Sequence, residues 1–353
     1  MNIIILAKNR EKYISGYYHQ DIINAFKKVG NCYLYGENYP KYDKNDNIED
    51  VIAKSPFNKQ RIDLIVVGTS WESENSSITE SDPHPRINLR KINIIKIFFL
   101  NKEYKNLDKK LKYAKDNNFD YVFTAHHDYK KWANQTGLRF FQLLFAADPN
   151  RFKDYELSKK YDFGFTGALH RDFIDIRYKI KYKLFKNPEI KSYVSRSILF
   201  EKKSLKESFK EYKIYWAEWG AKNFLGRNLL PYGNDYVKFL NSFKVFLNTP
   251  SAIGIINTRY FECLAVKTLL FCPETKYYVN TFKDNYNCVM FKENLSDFEQ
   301  KLEDIINDER KRHRIIENGY KDFIINHTYD KRVETVLNIL KINFNRRYKN
   351  GKI

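Results

Sequence analysis

The hydrophobic positions in the first half of the chain form short apolar runs separated by polar segments. The runs that predict strands are Ile3–Leu6, Cys32–Tyr35, Ile62–Val67, Ile92–Leu100 and Tyr121–Thr124. Helices are predicted between these runs at Gly16–Lys28, Ile48–Ala53 and Asp108–Asn117. Strands that are apolar on both sides and alternate with helices indicate a parallel sheet covered on both faces.

The second half repeats this alternation after a break at Asp148-Pro149-Asn150. The predicted elements are a strand at Phe163–Phe165, a helix from Arg171 toward Tyr182, a helix at Asp235–Asn241, strands at Lys244–Asn248 and Thr268–Phe271, a helix with the apolar face Phe298, Leu302, Ile305 and Ile306, and a last helix at Asp330–Leu340. The stretch that contains Trp216 and Trp219 is predicted to be rich in loops. We therefore predict two α/β domains, residues 1–150 and 151–328, followed by residues 329–353.

Length and composition are those of a globular protein with two cores. A chain of 353 residues suits two domains, and 43% hydrophobic and 16% aromatic residues are enough to fill both interiors. The four cysteines lack C-x-x-C spacing and are expected to be reduced thiols. The apolar run at Met1–Ala7 is too short for a signal peptide, and no window of 18 apolar residues occurs. These features predict a soluble, cytoplasmic protein.

The net charge is strongly positive and unevenly distributed. The formal charge is +19, from 62 Lys and Arg against 43 Asp and Glu. Residues 171–215 hold 13 basic and 6 acidic residues, and residues 341–353 hold five basic residues and no acid. One interpretation is that lysine merely fills the surface of a Lys-, Asn- and Ile-rich chain. The other is an anionic partner, such as a membrane surface, a nucleic acid or an acidic glycan.

The segment from Phe243 to Thr275 contains the clearest candidate chemistry. An apolar run ends at Asn248-Thr249-Pro250, a loop of small residues follows, and Asn257-x-Arg259-x-x-Glu262 then opens a predicted helix. The guanidinium and the carboxylate, three residues apart, share one face of that helix. A guanidinium can grip a phosphate with two hydrogen bonds. We therefore predict a phosphate-bearing ligand at the carboxyl ends of parallel strands.

These residues resemble the donor-site region of retaining GT-B glycosyltransferases, especially the group related to the spore-maturation protein CgeB, with its pattern N/G-x-R-x-x-E-x-x-A-x-G. Tyr161–Leu169 (YDFGFTGAL) resembles the strand and loop that open the second domain of that group. Phe119–Asp148 resembles the last strand-helix-strand unit of its first domain. Over roughly residues 60–340, the resemblance implies two Rossmann-like, doubly wound α/β domains that face a cleft, with the last helix crossing back to the first domain.

The same resemblance implies transfer of a sugar from a nucleotide-sugar donor, with retention of configuration and without a metal or other cofactor. In this interpretation Arg259 clamps the donor diphosphate, and Glu262 accepts hydrogen bonds from the ribose. Asn257 and Ser251 are further candidates for contacts with phosphate or sugar. The acceptor, which could be a glycan, a lipid or a protein, is expected on the first domain.

A second loop, between the predicted strand at Phe163–Phe165 and the helix after it, is a candidate phosphate contact. Gly167 would let backbone amides approach the phosphates, and Arg171 would add a cation. Arg171 and Arg177 are spare cations on the predicted helix, and for each of them a solvated helix face is expected more than a role as a ligand.

The chain departs from the family pattern at two positions. Lys267 stands where the pattern has glycine after the helix. Gly254 stands eight residues before Glu262, where many related enzymes have the first of two glutamates. The second departure concerns the contacts expected with the sugar hydroxyls.

Three histidines are candidates for acceptor binding or general-base catalysis. His126 and His127 follow a predicted strand, and His19 follows the first strand and its loop. His127 and the adjacent Asp128 could resemble a pair of metal ligands, but no further ligand is apparent, so no metal site is predicted.

Two other functions remain open at this stage. The first is a glycosyltransferase that acts on nucleic acid, with binding that depends strongly on salt. The second is a non-catalytic, basic binding protein on a GT-B shell. For any of these functions, the basic surface is a candidate for peripheral contact with a membrane. A dinucleotide-dependent enzyme is not indicated, because no G-x-G-x-x-G follows the first strand. The sequence does not define the oligomeric state.

Overall fold

In the computed structural model, the chain forms two compact units. One unit comprises Met1–Phe145 with Tyr329–Ile353, and the other comprises Ala146–Thr328. The structure describes residues 1–11, 16–57, 61–72, 82–169, 175–186, 205–218, 231–278 and 280–341.

The first unit is built on a six-stranded parallel sheet with the strand order β2-β1-β3-β4-β5-β6. Its strands are β1 (Asn2–Leu6), β2 (Asn31–Tyr35), β3 (Leu64–Val67), β4 (Lys96–Leu100), β5 (Tyr121–Thr124) and β6 (Phe140–Gln142). Every residue of β3 and β4 is buried, as expected for central strands that are covered on both faces. The predicted strand at Ile92–Leu100 is therefore confirmed only in its second part.

The helices of this unit agree with the sequence-based predictions. They are α1 (Tyr18–Val29), α2 (Ile48–Lys54), α3 (Leu107–Asp116) and α4 (Tyr129–Thr136). Asn47 closes the start of α2 with a reciprocal capping box with Asp50, which explains why so short a polar segment is helical. The order β5-α4-β6 confirms the strand-helix-strand unit expected within residues 119–148.

The second unit has a five-stranded parallel sheet with the strand order β11-β10-β9-β7-β8. Its strands are β7 (Tyr161–Gly167), β8 (Ile214–Glu218), β9 (Phe243–Leu247), β10 (Leu269–Pro273) and β11 (Val289–Phe291). The prediction of loop around Trp216 is wrong. Trp216 lies in β8, is 0% exposed and packs on Phe165 with ring centroids 4.3 Å apart. Strand β8 has only five residues, and two of them are half-buried. The sequence therefore shows no extended apolar run that would predict a strand.

The helices of the second unit include one that sequence analysis missed. They are α5 (Asp175–Leu184), α6 (Gly233–Asn241), α7 (Arg259–Ala265), α8 (Phe298–Asn307) and α9 (Glu309–Asn326). The apolar face predicted for α8 is buried as expected. Helix α9 escaped prediction because, among its 18 residues, only Arg312, Ile315, Gly319 and Phe323 are buried.

The last helix, α10 (Tyr329–Ile339), belongs to the first unit. Lys28 on α1 forms an ion pair of 2.8 Å with Asp330. Arg332 donates from Nε to the carbonyl oxygen of Leu144 over 2.8 Å. None of the helices in the described part of the chain has the length and apolar character needed to span a membrane.

Each sheet contains a point at which the strand order reverses. In the first sheet, β2 and β3 lie on opposite sides of β1; in the second, β8 and β9 lie on opposite sides of β7. Ligands of open parallel sheets bind beyond the carboxyl ends of the strands at such a point. In the second unit this point lies where β7 ends at Gly167 and β9 ends at Leu247. The two predicted phosphate-binding loops both begin there.

Candidate functional site

The loop between β9 and α7 is closed by the side chain of Asn257. Its Oδ1 accepts from Nδ2 of Asn248 over 2.9 Å and from the backbone N–H of Arg259 over 3.1 Å. Its Nδ2 donates to the carbonyl oxygen of Thr249 over 2.9 Å. Both ends of the amide are therefore used in holding the loop and the start of the helix. Asn257 shapes the site through these contacts.

Tyr236, on α6, connects the two residues that the sequence motif singled out. Nε of Arg259 donates to the Tyr236 hydroxyl over 3.0 Å, and this hydroxyl donates to Oε2 of Glu262 over 2.8 Å. Nη1 of Arg259 donates to the carbonyl oxygen of Thr166, near the end of β7. The guanidinium is thus fixed at the strand-order reversal of the second sheet.

Burial sets the protonation behaviour of these three side chains. It raises the pKa of the Glu262 carboxyl, which Arg259 only partly offsets. It also raises the pKa of the Tyr236 hydroxyl well above its ordinary value, so the tyrosine is neutral. Burial lowers the pKa of Arg259, but Tyr236 and Glu262 outweigh this and the net shift is upward. Arg259 therefore stays charged.

Arg177, on α5, lies at the same point, and the expectation of a solvated side chain is wrong. The residue is 7% exposed. Its Nε donates to Oγ1 of Thr249 over 2.6 Å, and Nη1 donates to the carbonyl oxygen of Ala168 over 2.9 Å. The signal that could have placed it is its phase: Arg177 lies three and seven residues before Ile180 and Leu184, both of which are buried.

Gly167 allows the Arg177 guanidinium to come close to the end of β7. A β-carbon at this position would lie 3.0 Å from Nη1 of Arg177 and 3.0 Å from Cζ of Phe165. Gly167 was predicted to permit a close approach to the end of this strand. The group that comes close to it is the Arg177 guanidinium. Arg171, the other candidate on this loop, lies outside the described residues.

The two guanidinium groups form a centre of positive charge. Among the described residues, no carboxylate oxygen lies within 4.0 Å of a guanidinium nitrogen of Arg177 or Arg259, so neither has an ion-pair partner. Burial and the neighbouring Arg259 lower the pKa of Arg177 to about 10. Glu262, which is linked to Arg259 through Tyr236, offsets part of this positive charge, and the remainder favours an anionic ligand. The arrangement suits the two phosphates of a diphosphate.

Comparisons with known proteins identify the architecture. Residues 196–338 match the family model described as Glycosyl transferase-like. The Anabaena protein HepE in complex with UDP-glucose is similar in structure with a TM-score of 0.56 and 11% identity, covering 97% of this chain and 99% of that one. The chain has the GT-B fold. The predicted fold class is therefore confirmed.

Two further solved structures show the same fold. Sucrose-phosphate synthase from Thermosynechococcus elongatus has a TM-score of 0.56 at 10% identity, covering 97% of this chain and 98% of that one. The trehalose-6-phosphate synthase OtsA has a TM-score of 0.56 at 9% identity, covering 98% of this chain and 100% of that one. No curated protein matches the chain significantly in sequence.

The structure gives a physical account of both departures from the GT-B motif. Lys267 adopts the left-handed backbone conformation with φ 51°, so the turn that normally uses glycine is present without it. Gly254 also has a positive φ of 77°, and a β-carbon there would lie 2.7 Å from the ring of Tyr277. A glutamate at residue 254 would therefore be strained by the backbone and would require the Tyr277 ring to move. Ser251 lies just before, and its backbone N–H donates to the carbonyl oxygen of Ile255 over 2.8 Å.

The candidate histidines of the first unit lie near the carboxyl ends of its strands. His19 is buried, and its Nδ1 is 2.6 Å from Oγ1 of Thr69. His126 is also buried, and its Nδ1 accepts the backbone N–H of Asp128 over 3.0 Å. His127 stacks on His126 at 4.1 Å and retains a side chain that is 23% exposed. Ligand atoms of His126, His127 and Asp128 lie within 4.8 Å of one another.

Proposed function

We propose that this protein is a glycosyltransferase that moves a sugar from a nucleoside diphosphate sugar to an acceptor. The observation that carries this is the pair of arginines, buried Arg177 and half-buried Arg259, which both bond to the fold where the second sheet reverses its strand order. Within the part of the chain that the structure describes, neither has a carboxylate at ion-pair distance. The Glycosyl transferase-like match over residues 196–338 includes Arg259 and Glu262. We further propose that the enzyme belongs to the CgeB-like group, whose motif the residues around Glu262 resemble.

The site would act mainly through electrostatics. When the bond between the sugar and the diphosphate breaks, negative charge grows on the phosphate oxygens of the leaving group. Arg177 and Arg259 lie where they can neutralise that charge, and their hydrogen bonds to the fold hold them in place before the reaction. We therefore propose that transfer proceeds without a metal, and with retention of configuration as in the enzymes that the motif resembles.

The donor is proposed to be a nucleotide sugar whose ribose is bound by Glu262. The similar HepE structure contains UDP-glucose, so uridine nucleotides are the first candidates. Residues that use their polar groups on the fold, such as Asn257, would organise the loop around the donor. Ser251 and Gly167 are proposed to line it, and Arg171 remains a proposed contact in the same loop as Gly167.

The acceptor is proposed to be a glycan, a lipid or a protein that contacts the first unit. His127 has the most accessible of the three candidate imidazoles, so we assign it the direct contact with the acceptor. His126 packs against His127, and His19 is buried and bonds to Thr69. Both would therefore stabilise the acceptor surface without contacting the acceptor themselves. The positive charge of the chain favours an acidic acceptor or an anionic membrane surface in the cytoplasm.

Donor turnover tests this proposal. Purified protein is incubated with UDP-glucose and with GDP-, ADP- and CMP-linked sugars in EDTA, and release of the nucleotide is measured by mass spectrometry. We expect release from one donor class, with a loss of tenfold or more in Glu262→Gln. Glu299→Gln, an exposed carboxylate on α8, is the control. Binding of a nucleotide without any turnover, with or without added acceptor glycans and divalent metal, would favour a non-catalytic binding protein.

A further inference from the structure

We infer that Tyr236 is a positioning residue that holds both halves of the donor site with one hydroxyl group. This inference rests on the proposed function, because it concerns how Arg259 and Glu262 bind the donor. The Tyr236 hydroxyl accepts a hydrogen bond from Arg259 and donates one to Glu262. Arg259 is the proposed phosphate ligand and Glu262 the proposed ribose ligand, so one group orients the contacts to two chemically different parts of a nucleotide.

Within the described residues, the Tyr236 hydroxyl makes its hydrogen bonds to Arg259 and Glu262. An aliphatic hydroxyl or phenol donates one hydrogen bond and accepts through its lone pairs, and both functions are used here on charged groups. Hydrogen bonds to charged groups are stronger than those between neutral groups. Because the pKa of Tyr236 is raised well above its ordinary value by burial, the proton stays on the oxygen. The hydroxyl is therefore able to donate to Glu262 while it accepts from Arg259.

The aromatic ring of Tyr236 is anchored independently of its hydroxyl. It meets the buried ring of Phe152 edge-on, with centroids 6.3 Å apart and an interplanar angle of 90°. The Arg259 guanidinium carbon lies 5.8 Å from the centroid of the Tyr236 ring. A phenylalanine at this position would keep these contacts and lose only the two hydrogen bonds. Tyr236→Phe is thus a clean probe of the hydroxyl.

No feature of the sequence motif points to Tyr236. It lies 23 residues before Arg259 on another helix, and only the tertiary fold brings its hydroxyl to Arg259 and Glu262. Its role is positioning, because the hydroxyl touches Arg259 and Glu262 and acts on the donor through them.

The test is a double-mutant cycle read by titration calorimetry with UDP, GDP and ADP. We expect Tyr236→Phe to weaken binding of the preferred nucleotide about tenfold, as for loss of hydrogen bonds to charged groups. In an Arg259→Lys background, which has no Nε to donate, the same substitution should cost much less. A purely structural loss would cost the same in both backgrounds. Tyr232→Phe is the control, since Tyr232 is an exposed tyrosine at the start of α6.

The outcomes separate this inference from the proposed function. If the wild-type protein binds a nucleotide and Tyr236→Phe binds it equally well with an unchanged melting temperature, the inference fails while the proposed function stands. A tenfold loss that is fully additive with Arg259→Lys also overturns it. If the wild-type protein binds none of the nucleotides, the proposed function itself fails, and the assignment of Tyr236 fails with it.

Discussion

Arg177 and Thr249 connect helix α5 with the end of strand β9. Nε of Arg177 donates to Oγ1 of Thr249 over 2.6 Å, and Nη2 lies 3.4 Å from the carbonyl oxygen of the same residue. Thr249 is fully buried, so this contact is part of the interior of the unit. The arginine is therefore held in one orientation before any ligand arrives, which is what an electrostatic role in catalysis requires.

Replacing Arg177 should reduce the preference of the protein for diphosphates. Arg177→Gln keeps a hydrogen-bond donor for Thr249 but removes the charge. We expect affinity for the nucleoside diphosphate to fall tenfold or more, with little change for the corresponding nucleoside. Lys179→Gln on the same helix, where the lysine is 61% exposed, is the matched control. Equal losses for nucleoside and diphosphate would contradict the role assigned to Arg177.

Gly167→Ala should disturb the position of the Arg177 guanidinium. The added methyl group would lie 3.0 Å from Nη1 of Arg177 and from the ring of Phe165, so one of them must move. We expect a loss of stability of about 1 kcal/mol and weaker diphosphate binding. Chemical denaturation and calorimetry measure the two effects. Unchanged binding in the folded variant would show that the close approach at Gly167 has no part in ligand binding.

Lys267 should carry a measurable conformational cost. Its φ of 51° is strained for a residue with a side chain, while its Nζ pairs with Glu317 at 2.9 Å. Comparing Lys267→Gly with Lys267→Ala separates these effects, because both lose the ion pair and only glycine relieves the strain. We expect the glycine variant to be more stable than the alanine variant by about 1 kcal/mol in urea denaturation. An alanine variant that is as stable as the glycine variant, or more stable, would show that the backbone at residue 267 is not strained.

Lys159 should make the stability of the second unit depend on pH. Its Nζ donates to the carbonyl oxygens of Asn241 and Lys267, at the ends of α6 and α7. Burial lowers the pKa of Lys159 from its ordinary 10.5 to about 8. Between these values only the unfolded state keeps the proton, so raising the pH stabilises the folded state, by about 1 kcal/mol per pH unit.

This dependence is measured as a difference between variants. The free energy of unfolding of the wild type relative to Lys159→Met should rise from pH 8 to pH 10. Lys160→Met is the control, because Lys160 is the exposed neighbour of Lys159. No such rise is expected for the wild type relative to this variant. A flat difference between wild type and Lys159→Met across this range would show that Lys159 is not desolvated.

The sequence predicted the elements whose pattern is local. Strand β9, the loop after it and the start of α7 follow from an apolar run and a motif, so Arg259 and Glu262 were found. Tyr236 was not, because its role depends on tertiary packing between two helices. Strand β8 was missed because it is short and two of its residues are half-buried, and helix α9 was missed because charged residues interrupt its apolar positions. Arg177 was misjudged because a buried arginine looks the same in sequence as an exposed one until its helical phase is compared with that of Ile180.

The central claim is that a nucleoside diphosphate binds to Arg177 and Arg259 in the second unit. The most direct test is calorimetry of the wild type and Arg259→Gln with UDP, GDP and ADP, each against its own nucleoside, in EDTA. We predict that one diphosphate binds the wild type about 100-fold more tightly than its nucleoside, and that most of this preference is lost in Arg259→Gln. Equal binding of diphosphate and nucleoside, or a preference that survives in the folded variant, would contradict the account.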